Sequence, residues 1–351
     1  MKSILVDLYK IKNLNSGLGQ FSLNFANHLA KFASENITLN GLAPNSAQNL
    51  LDKRFNEISS NLLNRFFQNN TKYDLWHSLH QFPAHFPNSK SIQILTIHDL
   101  NFLKEKSESK NQSYLKKLQN NVDRANFITS ISNYTAKEIE KHIDLKGKKV
   151  TTIYNGVSIN RDSILEKPNY VTGTKFFFSI GIFNRKKNFH ELLETVKDLE
   201  DTQLIIAGNN NTEYGRKIKN EIKIKGLESK IILPGIISES DKNWLYDNCE
   251  ALLFPSMAEG FGLPVIEAMQ YGKPVFLSKG GSLPEIGGEL AFYFDSFESN
   301  KMIKTILNGM EQVSKNDKLF KQKSQKHGDQ FSWENSIKAY LNLYVEILKD
   351  A

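Results

Sequence analysis

The chain has 351 residues, 40% hydrophobic, 24% charged and 11% aromatic, a globular composition long enough for two domains. No apolar run approaches the roughly 20 residues of a membrane span, and the opening "MKSILVDLYK" is too brief for a secretory signal. A single cysteine, Cys249, rules out an internal disulfide and fits a reducing compartment, so a cytoplasmic protein is expected. The net charge of +7 is uneven: residues 1–165 carry 21 Lys+Arg against 13 Asp+Glu (+8), the remainder 24 against 25 (−1). Such a bias suits an anionic partner of the first half, and a solvated basic face is the plainer alternative.

In chain order, "SILVDL" reads as a first buried strand. "NLNSGLGQFSLNF" then places Gly17 and Gly19 just before a helix with Phe21, Phe25, Leu29 and Phe32 at helical spacing. Ser22 stands where a dinucleotide fingerprint needs its third glycine, which excludes an NAD site. "ITLNGLA" and "DLWHSL" are further strands, and His77 and His80 after them suit loop or acceptor-edge roles. "QILTIHD" ends with His98 and Asp99 at a strand's carboxyl end. "FITSIS" and "VTTIYNG" follow, separated by "SNYTAKEIEKH", where Thr135 and Glu138 predict a capping box. The stretch "NRDSILEKPNYVTGT" reads as a linker. The strand pattern restarts with "KFFFSIG", "QLIIAG", "KIILPG", "ALLFPS", "PVFLS" and "AFYFD". "FNRKK" sets Arg185, Lys186 and Lys187 between a strand and the helix "NFHELLETVKDL", where cations can neutralise a diphosphate. The last 21 residues form a helix with Ser332 as N-cap and an apolar stripe of Trp333, Ile337, Tyr340, Leu341, Tyr344 and Leu348. Strands alternating with helices predict an α/β protein with parallel sheets covered on both faces.

The most informative stretch is "SMAEGFGLPVIEAM", residues 256–269. It follows a strand, where parallel α/β sheets bind ligands. Pro264 suits the first helical position, leaving the N–H groups of Val265, Ile266 and Glu267 to face an anion. Gly260 and Gly262 allow close backbone approach. Charge alone would not put Glu259 and Glu267 beside an anion site. They make sense if each accepts hydrogen bonds from ligand hydroxyls, so the ligand is both polyhydroxylated and phosphorylated. A nucleotide sugar satisfies both demands.

Together, "FPSMAEGFGLPVIEAMQYGKPVFLS", "GGSLPEIGG", "SIGIFNRKKNFHELL", "IILPGIIS" and "TIHDL" resemble retaining glycosyltransferases of family 4, over essentially the whole chain. The set is similar to the subgroup that builds bacterial surface polysaccharides, many members of which use GDP-mannose. The resemblance implies the GT-B architecture: two Rossmann-like domains with parallel sheets facing across a central cleft. It implies an acceptor-side domain over residues 1–168, a nucleotide-sugar domain over 169–330, and a helix over 331–351 crossing back onto the first. Glu259 would then bind donor-sugar hydroxyls and Glu267 the ribose. The backbone of Phe261, Gly262 and Leu263 would hold the sugar, and Pro264 and Val265 the phosphates. Lys187 would stabilise the departing diphosphate, assisted by Lys186 or Arg185, since Ile182 stands where relatives carry arginine. Ile236 would lie near the base, Gly17 and Gly19 near the diphosphate or acceptor, and His98 near the transferred sugar.

The reaction expected is transfer of a hexose, mannose first, from a nucleoside-diphosphate sugar to a glycan or polyprenyl-diphosphate-linked acceptor, with retention. No carboxylate is placed for a two-step displacement unless Asp99 serves, so same-face attack is favoured, with charge stabilisation by Lys187 and the helix start. No D-x-D triplet occurs, and neither a metal nor a bound cofactor is expected. The alternatives are UDP-sugar transfer, a sugar-nucleotide epimerase, and a non-catalytic partner subunit. A nucleic-acid partner is not expected, because no aromatic–basic module occurs. The basic half is expected to touch anionic membrane through Lys116, Lys117, Lys148 and Lys149.

Overall fold

The computed structural model describes residues 2–14, 16–47, 49–60, 72–87, 91–159, 165–199 and 202–349. The chain divides into two units, Met1–Gly156 with Phe331–Ala351, and Val157–Gln330. The division read from the sequence after residue 168 falls later than this boundary, and part of the linker lies outside the described residues.

The first unit holds β1 (Lys2–Asp7), β2 (Ile37–Ala43), β3 (Phe55–Ser59), β4 (Leu75–Ser78), β5 (Ile92–Ile97), β6 (Phe127–Ser130) and β7 (Val150–Thr152). They form one sheet in the order β3-β2-β1-β4-β5-β6-β7, with every pairing parallel. The helices are α1 (Gly17–Phe32), α2 (Phe102–Glu105), α3 (Glu108–Arg124) and α4 (Asn133–His142). Central strands such as β4 are buried on both faces, with the polar His77 and Ser78 buried among the apolar residues. β3 was not anticipated: "FNEIS" is polar, and as an edge strand it pairs only with β2.

Helix starts follow cap chemistry. Ser16 opens α1 by accepting the Gly19 N–H at 3.1 Å. The cap of α4 is Ser132, which accepts the Thr135 N–H at 3.1 Å, so the helix begins one turn before the expected Thr135 box. Thr135 instead donates to the His98 carbonyl at 3.2 Å.

The C-terminal helix, Trp333–Lys349, belongs to the first unit, with Ser332 accepting the Asn335 N–H at 3.2 Å. Trp333, Ile337, Tyr340 and Tyr344 bury with Phe25, Leu29, Ile4 and Val6, while Leu341 and Leu348 pack at the margin. A polar chain runs beneath them. The Tyr344 hydroxyl meets His77 Nδ1 at 2.5 Å, His77 Nε2 meets Thr96 Oγ1 at 2.7 Å, and Thr96 meets Thr129 at 2.7 Å.

The second unit holds β8 (Phe176–Ile180), β9 (Gln203–Ala207), β10 (Ile231–Gly235), β11 (Ala251–Phe254), β12 (Val275–Leu277) and β13 (Phe292–Tyr293). Their order is β10-β9-β8-β11-β12-β13, again all parallel. Its helices are α5 (His190–Lys197), α6 (Glu213–Ile224), α7 (Glu239–Asn248), α8 (Leu263–Gln270), α9 (Leu283–Gly287), α10 (Ser299–Ser314) and α11 (Asp317–Asp329). Each unit is thus a doubly wound, Rossmann-like α/β layer, as the alternation of elements predicts.

Candidate active site

In the second sheet β8 and β11 are neighbours, although two strands, β9 and β10, come between them in sequence, and the chain winds outward in opposite directions from that pair. Loops leaving the carboxyl ends of two such strands diverge and leave a crevice, the usual ligand position in open α/β sheets. The loop after β8 carries Arg185, Lys186 and Lys187 in one 3₁₀ turn, capped by Asn184, which accepts the Lys187 N–H at 3.2 Å. The loop after β11 carries Ser256 and Glu259.

These loops join at a buried ion pair. Lys187 Nζ lies 2.7 Å from Glu259 Oε1, with side chains 11% and 14% exposed, and 4.5 Å from the centre of the Phe254 ring. Ser256 Oγ donates to the same oxygen at 2.5 Å. Oε2 is left without a partner among the described residues. Burial by itself would raise the Glu259 pKa; the Lys187 charge and the bonds from Lys187 and Ser256 outweigh it and hold the carboxyl below its ordinary value. Glu259 is therefore an ionised acceptor with one oxygen committed and one available.

The surrounding backbone is stitched in place. The Met257 N–H donates to the Lys186 carbonyl at 2.7 Å. Ser282 Oγ donates to the Phe261 carbonyl at 2.7 Å, and the Ser282 N–H to the Glu259 carbonyl at 3.1 Å. Gly281 lies against the Glu259 backbone, where a Cβ would overlap the carbonyl. Gly260, Phe261 and Gly262 are buried. Arg185 is exposed, and Lys186 turns its carbonyl into the site.

Gly262, at φ 115°, caps α8, so Leu263 is the first helical residue and Pro264 the second. This shifts the expected donors. Val265 and Ile266 spend their N–H groups on the Gly262 carbonyl at 2.9 and 3.4 Å, whereas the N–H groups of Gly262 and Leu263 have no partner among the described residues. The open donors of the helix start thus lie earlier than the sequence reading put them. Glu267 is held on both oxygens: Lys242 Nζ lies 3.1 Å from Oε1, and the Tyr246 hydroxyl donates to Oε2 at 2.7 Å. Ile182 and Ile236, the residues after Gly181 and Gly235, are 48% and 64% exposed.

The remaining expected residues lie in the first unit. His98 is buried and donates Nε2–H to the Leu79 carbonyl at 2.8 Å, while its own N–H donates to Gln81 Oε1 at 3.1 Å. Burial lowers its pKa to about 4, the Leu79 bond opposing this, so the ring is neutral at pH 7 with Nδ1 as an acceptor. Asp99 Oδ1 accepts the Asn101 N–H at 2.9 Å, a turn-forming bond ahead of α2. Gly17 faces open space, and a Cβ at Gly19 would overlap the Asn13 carbonyl, so chain packing accounts for that glycine. Ser256, Gly281, Ser282, Lys242 and Tyr246 were not singled out from the sequence. The spacing of Lys242 and Tyr246, four apart on α7, was the available signal.

The fold is that of GT-B glycosyltransferases. Residues 21–161 match the model "Glycosyltransferase Family 4", residues 160–327 match "Glycosyl transferases group 1", and the chain belongs to these glycosyltransferases. It is 28% identical over 288 residues to an uncharacterized glycosyltransferase, MJ1178, of Methanocaldococcus jannaschii, covering 78% of this chain and 76% of that protein. It is 26% identical over 223 residues to the O-antigen chain mannosyltransferase RfbU of Salmonella typhimurium, covering 63% of this chain and 61% of that one. Among solved structures, sucrose-phosphate synthase from Thermosynechococcus elongatus aligns over 100% of both chains with TM-score 0.79 at 15% identity. Anabaena Alr3699/HepE, in complex with UDP and glucose, aligns over 99% of this chain and 100% of that one with TM-score 0.76 at 18% identity.

Proposed function

We propose that this glycosyltransferase moves a hexose, mannose first, from a nucleoside-diphosphate sugar, GDP-mannose first, to a glycan or lipid-linked glycan acceptor in surface-polysaccharide assembly. The observation that carries the reading is the Lys187–Glu259 pair beside the open start of α8, which offers one free carboxylate oxygen, one ammonium and unpartnered N–H donors. Glu259 Oε2 accepts from sugar hydroxyls, and the ammonium and the Gly262 and Leu263 donors take the diphosphate. The mannosyltransferase relatives support the sugar, and their part in O-antigen chains supports the acceptor class.

Retention follows from same-face attack. The bond from the anomeric carbon to the diphosphate breaks as Lys187 stabilises the departing charge, and the leaving phosphate oxygen takes the acceptor's proton. Lys187 and the helix start do the work a metal ion does elsewhere. His98, neutral, serves as a hydrogen-bond acceptor for the sugar. Asp99 is passed over as nucleophile because its carboxylate closes a turn.

Calorimetry of the purified protein against GDP, UDP, dTDP and their sugars, repeated with Glu267→Ala, tests the donor. One nucleotide should bind selectively and be lost in the variant, and the product anomer read by NMR in excess chelator should keep the donor's configuration. Silence towards every nucleotide points to a non-catalytic subunit, a free epimerised sugar nucleotide to an epimerase, and an inverted or chelator-sensitive product rejects the mechanism.

A further inference from the structure

On the reading that Glu267 receives the nucleoside's ribose, we infer that Lys242 is a positioning residue that makes this carboxylate a rigid receptor for a vicinal diol. Lys242 and Tyr246 lie four residues apart on α7, so both side chains project from one face of that helix. They reach Glu267 on α8 from the same side, one to each carboxylate oxygen, at 3.1 and 2.7 Å.

The arrangement is built rather than incidental. Tyr246 is fully buried, edge-on to Phe178 with centroids 5.0 Å apart and stacked on Tyr271 at 6.1 Å. Its hydroxyl is therefore fixed by the core. Lys242 is 19% exposed and Glu267 17%, so their pair is shielded from the screening that makes surface ion pairs weak. A second carboxylate, Glu239, lies 2.8 Å from the same ammonium and is 77% exposed. Burial by itself would lower the Lys242 pKa; Glu267 and Glu239 together outweigh it and hold the ammonium well above its ordinary value.

A carboxylate offers about four lone-pair sites. With one site on each oxygen taken by α7, the other on each oxygen remains, and the two are spaced for the two adjacent hydroxyls of a ribose. Two anchors, rather than one, fix the carboxylate's torsion, so the diol meets it without loss of rotamer freedom.

One property separates this role from a merely structural ion pair: discrimination between ribose and 2′-deoxyribose. The experiment is calorimetry of the wild-type protein, Lys242→Met and Lys242→Arg with GDP, UDP and their 2′-deoxy forms, with melting temperatures in parallel. The wild type should prefer the ribonucleotide at least tenfold. Lys242→Met should bind it about tenfold more weakly and lose most of the preference. Lys242→Arg should recover the preference. If Lys242→Met keeps the wild-type ratio, Lys242 does not position Glu267, and the donor-site reading stands. A variant that loses binding together with its folded transition, and is not rescued by arginine, makes the residue structural and also overturns the inference. If the wild type binds no nucleoside diphosphate, the donor-site reading falls and this inference with it.

Discussion

Glu259 and Lys187 come together from opposite sides of a strand pair, and each is half of an arrangement that fails without the other. Lys187→Met removes the ammonium and leaves a buried carboxylate with Ser256 as its remaining donor among the described residues. The Glu259 pKa then rises, and the departing diphosphate loses its cation. Loss of one such preorganised group typically costs roughly 10²–10³ in kcat. We expect that fall in kcat for Lys187→Met, with nucleotide affinity reduced much less; an unchanged kcat would remove Lys187 from the chemistry. Both residues were readable in the sequence because each directly follows an apolar strand. Their contact was not, since nothing local says that β8 and β11 are neighbours. Lys242 is the same problem in sharper form: its role exists only because α7 packs against α8.

At the scale of elements, α3 bears on the membrane contact expected from the sequence. Lys106, Lys110, Lys116 and Lys117 are exposed along and just before it, and Lys117 lies over the Phe82 ring at 5.4 Å. Tyr114, 38% exposed, stacks on Phe102 at 5.2 Å. Lysines beside exposed aromatic rings suit an anionic lipid surface. Lys148, expected from sequence to contribute, spends its ammonium on the Val122 and Asp123 carbonyls at 2.6 and 3.2 Å and belongs to the fold. A basic residue near such a surface is worth about 1 kcal/mol. Reversing the four exposed lysines to glutamate should therefore reduce binding to phosphatidylglycerol vesicles more than a hundredfold. Equal sedimentation of wild type and variant with those vesicles would reject the contact. Capping shows the limit of reading elements from sequence. Ser132 and Thr135 are both competent caps, and Thr135 is drawn into the helix because its hydroxyl reaches the His98 carbonyl. β3 escaped because an edge strand needs few apolar residues.

At the scale of the molecule, the two units differ in titratable chemistry. In the first, His77 and His98 are buried and His80 half-buried, and burial and neighbouring positive groups lower their pKa values to about 3, about 4 and about 2 respectively. Because these folded values lie below the unfolded value near 6.5, the unfolded chain takes up protons first as pH falls. Stability is therefore lost from about pH 6.5 downward, by roughly 1.4 kcal/mol per pH unit for each histidine until its folded pKa is reached. Asp7 works in the opposite sense. Burial, opposed by the Tyr9 N–H and Lys10, raises its pKa to about 6, so acidification relieves an unfavourable buried charge between about pH 6 and 4. Three losses outweigh one relief. The second unit carries His190 and His327, both half-buried. Scanning calorimetry from pH 7.5 to 5 should show the first unit's transition moving down away from that of the second; parallel shifts of both would contradict the histidine assignment. The sequence by itself determined the α/β class, the strands that end in glycine or proline, the C-terminal helix, and the glutamates and lysine of the candidate site. Each is a local pattern of burial period or turn chemistry, and such patterns are written within a few residues. Tertiary structure decided which oxygen of Glu259 is free, which N–H groups of the α8 start stay open, and that Lys242 and Tyr246 hold Glu267. Those facts depend on which strands and helices lie side by side, and adjacency across a parallel sheet leaves no mark on neighbouring residues in the chain.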